Sequence, residues 1–366
     1  MRIGYLVVKN IQRGGGIEKY TYELGSRLAA KGHEITVYSM AHYGAVDRSL
    51  NGMIVKPVFA FKAACLQKLS ASLCAAADVF LRPSFDIVHL HSVGAGAFGF
   101  LPRARRCKTV LQMHGIEWRR SRWGATGSLA LRLLEKASIA QASACTAVSR
   151  TQCAYLADGE RRRITYIPTA TEIKPKTEAR ELCSLGIKPG NYILFASRLV
   201  AEKGAHFLVE AFKRLKTDMK LVVAGDAYGG SGYKKRLLEA AAGDSRVLFP
   251  GYVEGRLLEE LFSNAYLFVQ PSMVEGLSIA LLEAMSYGNC CVVSDIPENV
   301  EALGGCGRTF KSESVEELVS VLGMLIDSPE EARRTRAAAR DRVSRFYTWD
   351  HVAEQMEVFY EDVVGQ

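Results

Sequence analysis

Short apolar segments alternate with helix-period segments along almost the whole chain. The first, residues 2–8, is followed by a glycine run and by a helical segment with Tyr20, Leu24 and Leu28 on one face. A second apolar segment follows at residues 34–39. A strand, a helix and a strand in this order form a right-handed unit with two parallel strands. The sequence therefore predicts an α/β fold built from doubly wound parallel sheets.

The alternation continues to the end of the chain and repeats in its second half. Further strands are predicted at 86–91, 109–114, 145–148, 163–167, 192–196, 221–224, 247–249, 265–269 and 290–294. Helices of the second half are predicted at 204–215, 233–241 and 256–264. Because 366 residues suffice for two cores, we expect two domains. We place them at 1–172 and 173–345, joined by a linker-like stretch at 172–189 and followed by an amphipathic helix at 346–366.

Cysteine usage and charge distribution indicate the cellular compartment and the kind of binding partner. No charged-then-apolar leader precedes the first strand, and no run approaches the roughly 18 apolar residues of a membrane span. Nine cysteines without metal-like spacing are typical of reduced thiols. We therefore expect a cytoplasmic protein. Residues 1–172 contain 24 Lys and Arg against 11 Asp and Glu, a charge of +13, whereas the remainder carries −5. The basic half predicts an anionic partner, and membrane lipid, a polyprenyl-phosphate acceptor and nucleic acid all remain open.

One strand–turn–helix segment carries the clearest chemistry. Glu275 and Glu283 stand eight residues apart, the first in the predicted turn after a buried strand and the second on the predicted helix. Between them, the N–H groups of Gly276, Leu277 and Ser278 lie at the positive end of a helix dipole, which favours an anion. Two carboxylates on either side of a phosphate site suit a nucleotide sugar, whose hydroxyl groups flank a diphosphate. The alternative is an ordinary amphipathic helix with two solvated glutamates.

Basic side chains follow the first strand of the second half. Arg198 offers a two-pronged guanidinium and Lys203 a point charge, both beside a predicted helix start. They could neutralise a diphosphate without a metal ion. The alternative is a surface ion pair between Lys203 and Glu202.

Histidines mark the ends of two strands in the first half. His114, followed by glycine, is expected to point toward a ligand at the carboxyl end of its strand. His89 and His91 share one face of a strand and could chelate a metal ion, but no third ligand follows at metal spacing. A structural role for His114 is the alternative.

These motifs together resemble the family-four retaining glycosyltransferases of the GT-B fold. The resemblance rests on the E-x7-E segment from Glu275, on the run from Arg198 to Gly204, and on the loop with Gly15 and Gly16. The segment from His114 to Trp123 resembles members that build bacterial surface polysaccharides, including some rhamnosyltransferases. The resemblance implies two Rossmann-like domains facing each other across a cleft, with the final helix crossing back to the first domain. Residues 167–171, Ile-Pro-Thr-Ala-Thr, depart from the Pro-Asn-Gly that the family usually has here.

The resemblance also implies roles for individual residues. The groups at the reacting sugar and its diphosphate would be His114, Arg198, Lys203 and Glu275. Other donor-binding positions would be Gly15, Gly16, Tyr252, Val253, Gly276, Leu277, Ser278 and Glu283, with Glu283 on the ribose and Tyr252 and Val253 near the base.

The implied reaction moves a sugar from a nucleotide diphosphate sugar to a glycan or polyprenyl-linked acceptor, with retention of configuration. We expect no cofactor and no metal ion, because the chain contains no Asp-x-Asp. The basic clusters around Arg103 and around Arg119, Arg120 and Arg122 predict attachment to an anionic membrane face. Two other classes stay open: a nucleotide-sugar epimerase of the same fold, and a non-catalytic protein that binds anions or nucleic acid. The second lacks any recognised nucleic-acid motif, so we expect no nucleic-acid partner.

Overall fold

The computed structural model describes residues 1–12, 15–44, 48–82, 85–120, 123–159, 164–227 and 232–365. The chain divides into two compact units. Unit 1 comprises Met1–Ala170 and Trp349–Gln366, and unit 2 comprises Thr171–Thr348. Each unit is a parallel α/β structure with its own sheet.

Within the described residues, unit 1 contains an eight-stranded sheet. Its strands are β1 (Arg2–Val8), β2 (Glu34–Met40), β3 (Ser49–Leu50), β4 (Met53–Val58), β5 (Ile87–His91), β6 (Lys108–Met113), β7 (Ala144–Ala147) and β8 (Ile164–Tyr166). Its helices before the chain leaves the unit are α1 (Gly16–Ala30), α2 (Ala64–Leu81), α3 (Ser92–Gly96), α4 (Phe100–Ala104), α5 (Ala125–Gln141) and α6 (Arg150–Gly159). The strand order is β3-β4-β2-β1-β5-β6-β7-β8, with only the β3–β4 pair antiparallel.

Unit 2 contains a six-stranded parallel sheet in the order β11-β10-β9-β12-β13-β14. The strands are β9 (Tyr192–Ala196), β10 (Lys220–Ala224), β11 (Val247–Gly251), β12 (Leu267–Gln270), β13 (Cys290–Ser294) and β14 (Arg308–Phe310). The helices are α7 (Ala205–Arg214), α8 (Gly232–Ala241), α9 (Gly255–Asn264), α10 (Ile279–Ser286), α11 (Pro297–Leu303), α12 (Val315–Asp327) and α13 (Pro329–Phe346). The predicted fold class, α/β with doubly wound parallel sheets, is confirmed in both units.

Both sheets have a topological switch point, where successive connections leave in opposite directions. It lies between β1 and β5 in unit 1 and between β9 and β12 in unit 2. In open α/β sheets, ligands bind outside the carboxyl ends of the strands at such points. We therefore expect a ligand-binding site in the loops that follow these four strands.

The last helix, α14 (Trp349–Gly365), belongs to the core of unit 1. Trp349 and Tyr360 are fully buried in the same apolar cluster as Tyr5 of β1 and Tyr20 of α1. The opposite face of the sheet is covered by α2, whose Ala71, Ala75, Ala76 and Val79 are buried. Helix α2 thus packs on the sheet through its alanine-rich face, although it leaves Leu66 and Leu73 exposed.

Several sequence-based boundaries differ from the structure. Residues 172–189 are not a free linker, because the Glu260 carboxylate of α9 accepts hydrogen bonds from the backbone N–H groups of Arg180, Glu181 and Leu182. The strand expected at 109–114 ends one residue earlier, so His114 lies in the loop beyond β6. Helix α10 begins at Ile279, because Ser278 caps it by accepting a hydrogen bond from the N–H of Leu281.

The eight cysteines whose side chains the structure describes are free of disulfides. Among the described residues, none of the helices combines the length and the apolar character that crossing a bilayer requires.

Candidate functional site

The loops after β9 and β12 are joined at the switch point of unit 2 by an ion pair. The Lys203 ammonium donates hydrogen bonds to both oxygens of Glu275, at 2.6 and 2.7 Å. The side chains of Lys203 and Glu275 are only 15% and 6% exposed, so the pair is shielded from solvent. The alternative pair between Lys203 and Glu202 is wrong, because the lysine turns to Glu275 instead.

A glycine allows the two loops to approach this closely. Gly204 has a φ of +70°, and a Cβ at this position would clash with the carbonyl oxygen of Pro271. Beside it, the N–H of Met273 donates a 2.9 Å hydrogen bond to the carbonyl oxygen of Glu202. Main-chain contacts therefore fix the position of Lys203 relative to Glu275.

A buried hydrogen-bond network holds the loop between β12 and α10. Ser272 donates to Oε1 of Glu275 at 2.7 Å, and the Ser294 hydroxyl donates to the carbonyl oxygen of Ser272. The Ser278 hydroxyl donates to Gln270 at 2.6 Å, and Gln270 donates to Asn299 at 2.7 Å. Because each of these side chains is buried and bonded, the carboxylate of Glu275 has little freedom to move.

Arg198 lies in the same group of loops but reaches solvent. It follows β9 directly and its side chain is exposed. The neighbouring residue Ser197 bonds to the carbonyl oxygen of Ala224, and Leu199 bonds to that of Asp226. A Cβ on Gly225, whose φ is +141°, would clash with the carbonyl oxygen of Ser197. The loop carrying Arg198 is thus packed against the loop after β10.

The N–H groups predicted to bind an anion belong to Gly276, Leu277 and Ser278, which form the end of the loop between β12 and α10. These residues lie in the loop before α10, and Leu277 and Ser278 are buried. The Ser278 hydroxyl already donates to Gln270 and caps Leu281. The Ser278 hydroxyl is therefore engaged inside the protein.

Glu283 belongs to a second charged group in unit 2. It lies half-buried on α10, where its charge acts on Lys174 together with those of Glu259 and Glu172. Burial lowers the Lys174 pKa, but a 2.6 Å hydrogen bond to Glu259 and these charges outweigh it and raise the pKa above its ordinary value. Lys174 therefore stays protonated beside these carboxylates.

Tyr252 and Val253 follow β11, the edge strand of unit 2. Tyr252 is 55% exposed, and the carbonyl oxygen of Gly251 accepts a 2.8 Å hydrogen bond from Gly225. The order of the sheet places this loop two strands away from the one that carries Lys203.

A chain of histidines lies at the switch point of unit 1. Nε2 of His114 is 3.0 Å from Nδ1 of His91, and Nε2 of His91 is 2.9 Å from Oγ1 of Thr21 on α1. His89, on the same face of β5, is 2.6 Å from the hydroxyl of Tyr360 on α14. Aromatic rings enclose the chain: Tyr5 stacks on His91 and Tyr20 meets His114 edge-on.

Burial keeps these histidines neutral. It lowers the pKa of His114 to about 3, assisted by the nearby charge of Lys68. It also places the pKa of His91 well below its ordinary value. Both rings therefore act as neutral hydrogen-bonding groups at physiological pH.

The glycine loop is described from Gly15 onward, and Gly14 lies outside the described residues. Gly15 caps α1 and Gly16 is its first residue. The buried Glu18 carboxylate accepts hydrogen bonds from the N–H groups of Lys9 and Gly15, both at 3.0 Å. Glu18 thereby holds the two ends of the loop together.

Metal binding finds no support in the part of the chain that the structure describes, where no group of three or more His, Cys, Asp or Glu side chains could hold an ion. In the basic segment after β6, the guanidinium of Arg119 lies over the rings of Trp118 and Tyr155, and Arg120 pairs with Glu117. Arg122 lies outside the described residues.

Sequence reasoning missed Thr21 and Ser272. A hydroxyl on an amphipathic helix and a serine two residues after the end of a strand give no signal of their own. The pair of histidines on β5 was a signal, but it pointed to metal binding rather than to contact with His114.

Family models match both halves of the chain. Residues 14–174 match the model described as Glycosyltransferase Family 4, and residues 183–342 match the one described as Glycosyl transferases group 1.

Curated relatives carry related names. A D-inositol 3-phosphate glycosyltransferase from Xylanimonas cellulosilytica is 28% identical, over 93% of this chain and 90% of the relative. An MMP alpha-(1->4)-mannosyltransferase from Mycolicibacterium hassiacum is 32% identical, but the match covers 48% of this chain and only 43% of that protein.

Solved structures with the same fold cover the whole chain. Sucrose-phosphate synthase from Thermosynechococcus elongatus superimposes with a TM-score of 0.85 at 19% identity, covering 100% of this chain and 99% of the other. HepE from Anabaena, in complex with UDP and glucose, gives 0.83 at 18% identity, covering 99% and 100%. At sequence identities this low, the two superpositions show a shared fold and nothing about the substrate.

Proposed function

Because this chain belongs to the group 1, family 4 glycosyltransferases of the GT-B fold, we propose that it moves a sugar from a nucleotide diphosphate sugar to a hydroxyl group, with retention of the anomeric configuration. The observation that carries the proposal is the Lys203–Glu275 pair, held at the switch point of a parallel sheet beside Arg198. The HepE structure contains UDP, which makes a uridine nucleotide a reasonable first donor to test.

The pair has hydrogen-bonding capacity left for a donor. An ammonium group has three N–H donors, and Lys203 uses two of them on Glu275, so the third is available to a phosphate oxygen. Oε1 of Glu275 accepts from both Lys203 and Ser272, whereas Oε2 accepts one hydrogen bond, from Lys203, and has room for a second from a sugar hydroxyl. We assign Lys203 and Arg198 to the diphosphate and Glu275 to the donor sugar.

The remaining donor contacts follow from the same arrangement. Main-chain N–H groups of Gly276, Leu277 and Ser278 would meet phosphate oxygens, and Glu283 the ribose hydroxyls. Tyr252 and Val253 would lie toward the base. Gly15, Gly16 and His114, which belong to unit 1, would approach the reacting sugar.

The proposed chemistry is a front-face displacement. The bond from the anomeric carbon to the diphosphate breaks, and the acceptor oxygen forms the new bond on the same face. The departing phosphate oxygen takes the proton of the acceptor hydroxyl. Arg198 and Lys203 stabilise the negative charge that grows on the diphosphate, at about 1.5–3 kcal/mol for each charge-assisted contact. No divalent metal is needed, because these cations already neutralise the diphosphate.

We propose a glycan or polyprenyl-linked glycan of polysaccharide synthesis as the acceptor, met at the cytoplasmic membrane face. Phe59 and Phe61 support this location, because they are 60% and 54% exposed next to Lys62. The exposed Arg103, Arg105 and Arg106 supply charge for anionic lipid, at roughly 1 kcal/mol each near the surface.

Vesicle sedimentation tests the location. The protein should bind anionic vesicles and lose that binding as salt is added, whereas neutral vesicles should leave it in solution. Replacing Phe59 and Phe61 by serine should weaken binding, and Phe346→Ser, at another exposed phenylalanine in unit 2, is the matched control. Equal binding to anionic and neutral vesicles would contradict the membrane proposal.

Product analysis tests the reaction. Incubation with a nucleotide sugar and a polyprenyl-linked acceptor should release the nucleoside diphosphate and give a glycoside with the donor's configuration. Conversion of the donor into an epimer without an acceptor would instead indicate an epimerase. None of the relatives and structures reported above is named as one, so we do not adopt that alternative.

A further inference from the structure

The protonation of His114 is determined by residues behind it. Nε2 of His114 contacts His91, and among the described residues this is the hydrogen bond that its ring makes. A neutral imidazole has one N–H and one bare nitrogen, so what His114 offers on its other nitrogen depends on which of the two carries the proton.

The series of hydrogen bonds that ends at His114 starts at the hydroxyl of Thr21. Its Oγ1 is 2.8 Å from the carbonyl oxygen of Ile17, one turn earlier on α1. A carbonyl oxygen has no hydrogen, so this contact is attractive only if the Thr21 hydroxyl donates its single proton there. Thr21 Oγ1 must therefore act as the acceptor in its 2.9 Å contact with Nε2 of His91.

This assignment fixes which ring nitrogen carries the proton in His91 and then in His114. His91 carries its proton on Nε2, which leaves Nδ1 bare. Since Nδ1 of His91 is 3.0 Å from Nε2 of His114, the proton between them belongs to His114. His114 consequently has Nδ1 unprotonated.

We propose that Thr21 and His91 are positioning residues that hold His114 as the Nε2–H tautomer, so that its Nδ1 accepts a hydrogen bond from a hydroxyl group of the donor sugar. The contact with the sugar rests on the proposed function, whereas the tautomer rests on hydrogen-bond geometry alone. A group without a hydrogen to donate, such as a carbonyl or a carboxylate, would meet the lone pair of Nδ1 unfavourably. The donor class is therefore one with a hydroxyl group at this position.

Two further features keep the protons of the Thr21–His91–His114 hydrogen bonds in this one arrangement. The imidazolium form of His91 would allow both ring nitrogens to donate and would reverse the assignment, but full burial and the nearby Lys68 charge lower the pKa of His91 well below its usual range. The stacking of Tyr5 on His91, with ring centroids 5.7 Å apart and planes 10° from parallel, fixes the plane of the ring. A 180° turn that keeps this plane would put ring carbons in place of the nitrogens that face Thr21 and His114, so these two hydrogen bonds fix the orientation.

Nitrogen-15 NMR of histidine-labelled protein reads the tautomer directly, with no substrate present. The signal of His114 is identified by its loss in His114→Gln. A proton on Nε2 and none on Nδ1 supports the proposal. A proton on Nδ1, whether alone or together with one on Nε2, overturns it, even if the protein proves to be an active glycosyltransferase.

A pair of variants tests the consequence for transfer. Thr21→Ser keeps the hydroxyl, and Thr21→Val keeps the shape but removes the acceptor for His91. We expect kcat to fall about tenfold in Thr21→Val, with a smaller change in KM for the donor, and to stay within about twofold in Thr21→Ser. Unchanged kcat in Thr21→Val would overturn the positioning role. If the wild-type protein shows the Nε2–H tautomer but no transfer, the proposed function fails and the tautomer assignment stands.

Discussion

Lys203 and Glu275, 72 positions apart in the sequence, form a two-pronged ion pair across the switch point of unit 2. Removing one partner of a shielded pair leaves the other charge uncompensated, which typically costs 3–5 kcal/mol. The pair is therefore structural as well as available to a ligand, and the two roles need separate tests.

A double-mutant cycle separates the two roles. Lys203→Met should lower the free energy of unfolding by about 3 kcal/mol, because the Glu275 charge remains buried. Adding Glu275→Gln removes that charge and should restore more than half of the loss, whereas transfer should stay abolished in both proteins. Denaturant unfolding and initial rates measure the two effects. If the double variant were no more stable than Lys203→Met, the pair would not be the source of the cost.

Substitution of Gly204 tests whether nucleotide binding requires the close approach of the loops after β9 and β12. Gly204→Ala combines left-handed strain with a clash on Pro271 and should displace the loop carrying Lys203. Gly186→Ala is the matched control, because Gly186 also has a positive φ, +65°, but open space around it. We expect the control to lose about 1 kcal/mol of stability and to keep its activity. The Gly204 variant should lose more stability and most of its nucleotide affinity, so equal behaviour of the two would contradict this account.

Glu283 and His114 should affect different kinetic constants. Glu283→Ala should weaken nucleotide binding, since ribose contacts exist both before and during reaction. His114→Ala should chiefly lower kcat, since contacts at the reacting sugar matter more in the transition state. Steady-state kinetics with varied donor distinguish the two, and an unchanged kcat in His114→Ala would mean that this histidine is structural.

The buried His89 should make stability depend on pH. Burial lowers the pKa of His89 from 6.5 to about 3. As pH falls through 6.5, the unfolded chain takes up a proton that the folded protein refuses, so the free energy of unfolding should decrease between pH 6.5 and 3. This histidine contributes about 1.4 kcal/mol per pH unit in that window.

Replacing His89 isolates its contribution to the pH dependence of the free energy of unfolding. His89→Asn should flatten the pH dependence in chemical denaturation, and His351→Gln, which removes an exposed histidine on α14, is the control. A slope that His89→Asn leaves intact would show that other groups produce it.

Much of the fold follows from the sequence because each unit consists of local strand–helix repeats. The alternation predicted the strands that form both switch points, and it placed Lys203 and Glu275 in loops after strands. It could not pair them, because the adjacency of β9 and β12 is set by sheet order, which depends on contacts distant in sequence.

The histidine chain shows the same limit more strongly. The sequence indicated that His89 and His91 share a face and that His114 ends its strand. Their connection to Thr21 requires α1 to bring Thr21 beside the last residue of β5, and the apolar pattern of α1 does not specify which strand end it meets. The sequence also did not show where α10 begins, which the structure places at Ile279 because Ser278 caps the helix.

Calorimetric titration of UDP, GDP, dTDP and ADP into the protein in the presence of EDTA tests the central claim most directly. We predict that one of them binds without metal and that Arg198→Ala weakens its binding about tenfold to a hundredfold, because a charge-assisted contact to the diphosphate is lost. Thr217→Ala, elsewhere in unit 2, should leave the affinity unchanged. Absence of binding to all four nucleotides, or binding that requires a divalent metal, would contradict the account.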